Sequence, residues 1–206
     1  DLYALRDNAA QAPGATRPVT GASAPTLTAQ GFGSAPVFNF PRGQARPKAF
    51  ALVIGVQDYD NKDVPQVEFA ANDAAAMQQF LVKTRGFRPD NVVVLNNPNH
   101  SELLSYFGTE LNPRGRLYDL VEREGINELF VFFSGHGIPT SDGVGVLLPS
   151  DADPFKPEFT GYKLNTLIGN LNKLAVKTAT VAIESCFSGL SADGPLIRDA
   201  SPIFLA

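Results

Sequence analysis

Leu129-Phe-Val-Phe-Phe-Ser-Gly-His-Gly137 and Ala179-Thr-Val-Ala-Ile-Glu-Ser-Cys-Phe-Ser-Gly189 decide how this chain is read. Each is an apolar run of strand length that ends in a glycine-containing loop bearing one reactive side chain, His136 in the first and Cys186 in the second. Runs of five to eight apolar residues without alternation fit strands buried on both faces. Two such strands side by side would bring a thiol and an imidazole to one edge of a sheet.

Outward from these runs the pattern alternates. Ala49–Val56 is a third apolar run, Asn72–Thr84 carries helix formers closed by Gly86, and Asn91–Leu95 is a short β-branched strand. Helix formers over Leu117–Glu124 lead through Gly125 into the strand at 128–133. Leu164, Leu167, Ile168, Leu171 and Leu174 share one face of a helix ahead of the strand at 179–183. Strands alternating with helices predict parallel pairing and a three-layer α/β/α sandwich. In such sheets ligands bind at the carboxyl ends of the strands, where Asp58, Tyr59, His136, Glu184 and Cys186 all fall.

Composition excludes several function classes. The chain has 206 residues, 44% apolar and 18% charged, enough to bury a core without disulfides or metal. One cysteine and two histidines cannot build a thiolate zinc site. The net charge of −4, without a basic cluster, is not that of a nucleic-acid binder. No apolar stretch approaches the roughly 20 residues that span a bilayer. The reading is a soluble protein that binds no membrane, and its cysteine usage leans slightly toward a reducing, cytoplasmic compartment. Residues 1–47, rich in Ala, Pro, Thr, Ser and Gly, read as an arm or linker packed on the domain.

A cysteine is a nucleophile only as its thiolate, so it needs a neighbour that takes its proton. His136 is that neighbour by position. Gly135 and Gly137 leave backbone amides accessible, and the amides of Gly137 and Cys186 are the expected oxyanion donors. His100, in Asn97-Pro-Asn-His-Ser-Glu102, sits at a turn and helix start and reads as surface structure.

These residues together resemble the caspase and metacaspase superfamily of cysteine peptidases. The likeness rests on the strand at Phe50–Val56, Asn72-Asp73-Ala74 opening the first helix, Ser134-Gly135-His136-Gly137, and Glu184-Ser185-Cys186-Phe187-Ser188-Gly189. Cys186 lies 50 residues after His136, a separation close to that between the caspase histidine and cysteine. The resemblance covers roughly 48–189, the catalytic, large-subunit portion. It implies that Cys186 attacks the scissile carbonyl while His136, oriented by backbone, protonates the leaving amine. Caspases carry Gln-Ala-Cys and hold an acidic P1 residue, whereas metacaspases carry Asp-Ser-Cys and prefer Arg or Lys. Glu-Ser-Cys here points to a basic P1, with Glu184 and Asp58 assigned to the S1 pocket.

Family members complete the sheet with further strands after the cysteine, so residues 190–206 read as a processing loop and tail. The C-terminal strands, or a small-subunit partner, are expected elsewhere. Arg198, in the turn-rich Gly194-Pro-Leu-Ile-Arg-Asp199, is the expected self-cleavage site of a zymogen. Metacaspases often need calcium. Asp151 and Asp153 leave room for it without defining a site, and no other cofactor is required. Two alternatives remain: a non-catalytic caspase-like interaction module, and a flavodoxin-like ligand-binding domain, which the absence of a Gly-x-Gly-x-x-Gly after any strand disfavours.

Overall fold

In a computed structural model the described residues are 41–185 and 204–205. The expected arm up to residue 40, Cys186 and Arg198 lie outside them. Four of the expected elements form as parallel strands: β1 (Ala49–Gly55), β2 (Val92–Asn96), β3 (Glu128–Ser134) and, later in the chain, the strand Thr178–Glu184. All seven residues of β1 are buried, as are the last six of β3, which explains why neither alternates in the sequence.

Between β1 and β2 runs α1 (Ala70–Lys83); between β2 and β3 run α2 (His100–Phe107) and α3 (Arg116–Glu124). A short antiparallel sheet follows His136, made of β4 (Gly137–Pro139), β5 (Gly145–Leu147) and β6 (Tyr162–Lys163), with the single turn α4 (Pro157–Thr160) between β5 and β6. Helix α5 (Leu164–Leu171) then leads to β7 (Thr178–Glu184). The backbone of β8 (Phe204–Leu205) pairs in parallel with β7, so the tail adds a fifth strand where the sequence suggested only a loop.

The two faces of the sheet bury different partners. Ala49, Ala51 and Val53 on β1, with Phe130 and Phe132 on β3, pack against Ala74 and Leu81 of α1. Their strand neighbours Phe50, Leu52, Ile54, Leu129, Val131 and Phe133 face the other way, onto Leu103, Phe107, Leu117, Val121 and the Leu164/Leu167/Ile168/Leu171 stripe of α5. Enclosing each such side chain contributes about 1.5–3 kcal/mol. The expected α5 stripe reaches Leu174, but the helix closes at Leu171. Tighter turns follow, with Lys173 N–H donating to Asn170 O and Leu174 N–H to Leu171 O, and Leu174 still reaches the core.

The strand order is β2-β1-β3-β7-β8. The chain leaves β1 toward one side to make β2, then returns past it to make β3. The β1/β3 boundary is therefore a topological switch point, where open α/β sheets form their binding crevice. Register aligns the strand ends across it: Asn96 with Gly55, Gly55 with Ser134, and Ser134 with Glu184.

Candidate active site

Glycine at position 55 lets the first turn of α1 close down on this row of strand ends. A Cβ there would lie 2.6 Å from Ala70 O and 3.0 Å from the Ala74 Cβ. The approach carries Asp73, in the first turn of α1, to β3, where the buried Ser134 hydroxyl donates to its Oδ2 at 3.4 Å. Ser134 is in turn the register partner of Glu184, whose carbonyl accepts the Gly135 N–H at 3.2 Å. Two carboxyl-bearing residues thus flank Ser134 at the mouth of the switch point, and the Glu184 side chain is exposed there. Asp73 entered the sequence reading only as part of a motif; its place beside Ser134 follows from helix packing.

His136 is gripped from the loop that follows β1. Its backbone N–H donates to the Tyr59 hydroxyl at 2.8 Å, and its ring Nε2 lies 2.8 Å from the Pro65 carbonyl. A carbonyl only accepts, so this contact requires the proton on Nε2 and leaves the lone pair on Nδ1 in the neutral ring. The Tyr59 ring packs on the imidazole, with centroids 5.2 Å apart and planes tilted by 39°. Gly135 makes room for that approach, since a Cβ on it would lie 3.1 Å from the Tyr59 hydroxyl and 3.0 Å from the Phe133 ring. Burial pushes the Tyr59 phenol well above its ordinary range, and the His136 amide, which favours the phenolate, offsets only part of this. The imidazole orientation expected from backbone therefore comes from Pro65, which no residue-type pattern could mark.

Gly137 stands opposite Leu147 in the β4–β5 pair, and Leu148 N–H donates to His136 O at 2.9 Å. That bond makes Gly137/Leu147 a non-hydrogen-bonded pair, so the Gly137 amide points off the edge of the small sheet. Its proposed partner donor, the Cys186 amide, lies outside the described residues, as does the Cys186 thiol. The neighbouring Ser185 hydroxyl is enclosed and has no hydrogen-bond partner among the described residues.

Asp58, expected in the S1 pocket, is hydrogen-bonded through both carboxylate oxygens. Its Oδ1 accepts from Gln66 Nε2 at 2.7 Å and its Oδ2 from Asn97 Nδ2 at 3.0 Å. His100 opens α2 behind a capping box of Asn99 and Glu102, and its N–H donates to Asp151 Oδ1 at 2.8 Å. Asp153 Oδ1 accepts the Phe155 N–H. Both acids weighed for calcium are thus engaged with backbone, and no group of three metal-ligating side chains occurs among the described residues. No helix among them is long and apolar enough to cross a membrane.

Residues 48–202 match the caspase domain family. Metacaspase-1B of Aspergillus fumigatus is 28% identical over 188 residues, 87% of this chain and 45% of that protein. Metacaspase-1 of Eremothecium gossypii is 25% identical over 160 residues, 74% of this chain and 34% of that protein. The crystal structure of caspase-1 from Spodoptera frugiperda superposes with a TM-score of 0.47 at 19% identity, covering 74% of this chain and 53% of that one. The chain spans less than half the length of these curated metacaspases. With its parallel sheet and its histidine at the switch point, the chain belongs to the caspase domain family.

Proposed function

We propose that this chain is a cysteine endopeptidase in which Cys186 and His136 form a dyad, cleaving after Arg or Lys. The observation that carries the reading is the His136 ring held through Nε2 by the Pro65 carbonyl, which leaves Nδ1 as the nitrogen that exchanges protons. Nδ1 takes the Cys186 proton, and the thiolate forms a bond to the scissile carbonyl carbon. The oxyanion is met by the amides of Gly137 and Cys186. As the carbon–nitrogen bond breaks, the leaving amine takes the proton from Nδ1. Water, deprotonated by the same nitrogen, then hydrolyses the thioester and regenerates the thiol.

Specificity follows from the sign of the charge at the mouth. Glu184 and Asp73 flank Ser134, and a carboxylate in such a place pairs with guanidinium or ammonium rather than with another acid. Arg198, on the C-terminal side of the nucleophile, suits the same pocket as a self-processing site. The test is a panel of peptides differing only at P1. Hydrolysis after Arg or Lys that disappears in Cys186→Ala supports the reading; faster cleavage after Asp than after Arg overturns it.

A further inference from the structure

Besides the Leu148 N–H to His136 O bond, two hydrogen bonds hold His136, to its backbone N–H and to its ring, and both come from residues 56–69, a stretch with no helix or strand. Such a segment has no strand ladder, and few backbone bonds hold it: Val67 N–H to Gln57 O at 3.0 Å joins its two arms and Asp60 N–H to Ser150 O at 2.8 Å anchors it beside Tyr59. Three side chains add to that support. Asp58 precedes Tyr59 and Gln66 follows Pro65, and the Gln66 Nε2 to Asp58 Oδ1 bond ties these two points of the loop together at 2.7 Å. Asn97, just past β2, donates from Nδ2 to Asp58 Oδ2 at 3.0 Å, while its Oδ1 accepts the N–H groups of Gln57 at 2.8 Å and Asp58 at 3.1 Å.

Asn97 is itself anchored to the sheet, its N–H donating to Gly55 O at 2.8 Å. Among the described residues it is the one non-glycine at positive φ, +49°. Asparagine tolerates that conformation better than most residues. Held strain of this kind gathers where a loop must keep one shape.

We propose that Asp58, Asn97 and Gln66 form a brace that positions His136 from both ends, through Tyr59 at its backbone and through Pro65 at its ring. They are positioning residues, and the proposal rests on reading His136 as the acid–base group of a peptidase. It also gives Asp58 a task other than lining the S1 pocket.

The brace makes a swap possible. Asn97→Asp keeps an acceptor for the two amides but sets carboxylate against carboxylate at Asp58. Adding Asp58→Asn restores a donor–acceptor pair there, and the amide oxygen introduced at position 58 still accepts from Gln66. The chain has two histidines, so nitrogen-15 histidine labelling reports the His136 ring directly. A ring N–H held by Pro65 exchanges slowly enough to be seen, whereas a released one is lost to water. Asn97→Asp is expected to lose that signal at neutral pH, and kcat on an Arg peptide falls about 10- to 100-fold with KM changed by less than about twofold, the scale of a misplaced catalytic group. The double variant regains both.

Gln66→Ala, at an exposed position, cuts only the side-chain tie to Asp58 and leaves the Val67 N–H to Gln57 O bond in place. It is expected to weaken the ring signal without moving the unfolding midpoint, and it carries the test should Asn97→Asp fail to fold. A ring signal and kcat that survive Asn97→Asp or Gln66→Ala overturn the brace, as does a double variant no better than Asn97→Asp. A ring signal that follows the swap in a chain that hydrolyses no peptide leaves the brace standing and overturns the peptidase reading instead.

Discussion

Ser134 on β3 and Glu184 on β7 are register partners at the carboxyl ends of adjacent parallel strands, and the Ser134 hydroxyl donates to Asp73 from the helix above. Three elements distant in sequence thus meet at one acidic mouth. If a basic P1 side chain sits there, Glu184→Gln and Asp73→Asn each remove one charge-assisted contact, worth about 1.5–3 kcal/mol. The expected loss in kcat/KM is about 10- to 150-fold for an Arg peptide. Steady-state kinetics with matched Arg and uncharged P1 peptides check this; an equal loss on both substrates removes the acids from the pocket.

The two histidines separate cleanly. His136 sits at the strand-end site, whereas His100 is the first residue of α2, behind the Asn99 cap, and reaches Asp151 through its backbone N–H. His136→Ala is expected to lower kcat about 10²- to 10⁴-fold, the usual contribution of a general acid–base. His100→Ala, which leaves that backbone donor in place, is expected to retain wild-type turnover. Active-site labelling with a thiol-reactive peptide ending in Arg provides the control, since Cys186 remains in both variants.

The parts legible in the sequence were those with a period or a continuous apolar run. β1 and β3 lie within a residue or two of their expected bounds because burial on both faces leaves no polar interruption to misread, and β7, only partly buried, is marked by its run of small and β-branched residues. The small β4–β6 sheet escaped notice, since two- and three-residue strands carry no pattern. Strand order escaped it for another reason: nothing local to β2 says on which side of β1 it pairs. At the site, His136 was readable from its glycines, but its orienting partner is the carbonyl of Pro65, and every residue has a carbonyl. Asp58 looked like a pocket acid by position. Only the folded loop reveals that Gln66 and Asn97 bind both its oxygens.

Phe133 links the core to the site. It is 1% exposed, lies in the cluster with Leu52, Leu129 and Leu167, and its ring meets the position a Cβ would take on Gly135. Phe133→Ala is expected to cost about 3–5 kcal/mol of stability. Leu129→Ala, equally enclosed but far from the strand end, is expected to cost about 2–5 kcal/mol. Urea unfolding reads both as a lower midpoint at unchanged slope. Only Phe133→Ala is expected also to depress turnover under conditions where both variants are folded, because it loosens the turn that carries His136.

Self-processing has a clear signature. A chain that cuts after Arg198 produces a fragment ending at that residue, and Cys186→Ala is expected to abolish its appearance, as is Arg198→Ala. Mass spectrometry of the purified precursor after incubation detects it. Processing at Arg198 that persists unchanged in Cys186→Ala assigns the cut to another protease.

Two buried phenols are expected to lower stability at alkaline pH. Burial raises both Tyr59 and Tyr162 above the ordinary tyrosine range, and the Tyr162 O–H also donates to Gly108 O at 2.9 Å, which a phenolate could not do. Below the unfolded-state value of about 10 both phenols are protonated in the folded and unfolded chains, so their contribution is fully present. Above it the unfolded chain releases protons that the folded chain keeps, and stability falls by about 1.4 kcal/mol per pH unit for each phenol until its folded-state value is passed. Urea unfolding between about pH 8 and about pH 11 is expected to show this decline beginning near pH 10. Tyr59→Phe and Tyr162→Phe should each flatten it by one group. Tyr59→Phe also removes the acceptor for the His136 N–H while keeping the ring against the imidazole. It is therefore expected to lower turnover near neutral pH, where Tyr162→Phe leaves turnover unchanged, and equal turnover in the two variants would remove Tyr59 from the support of His136.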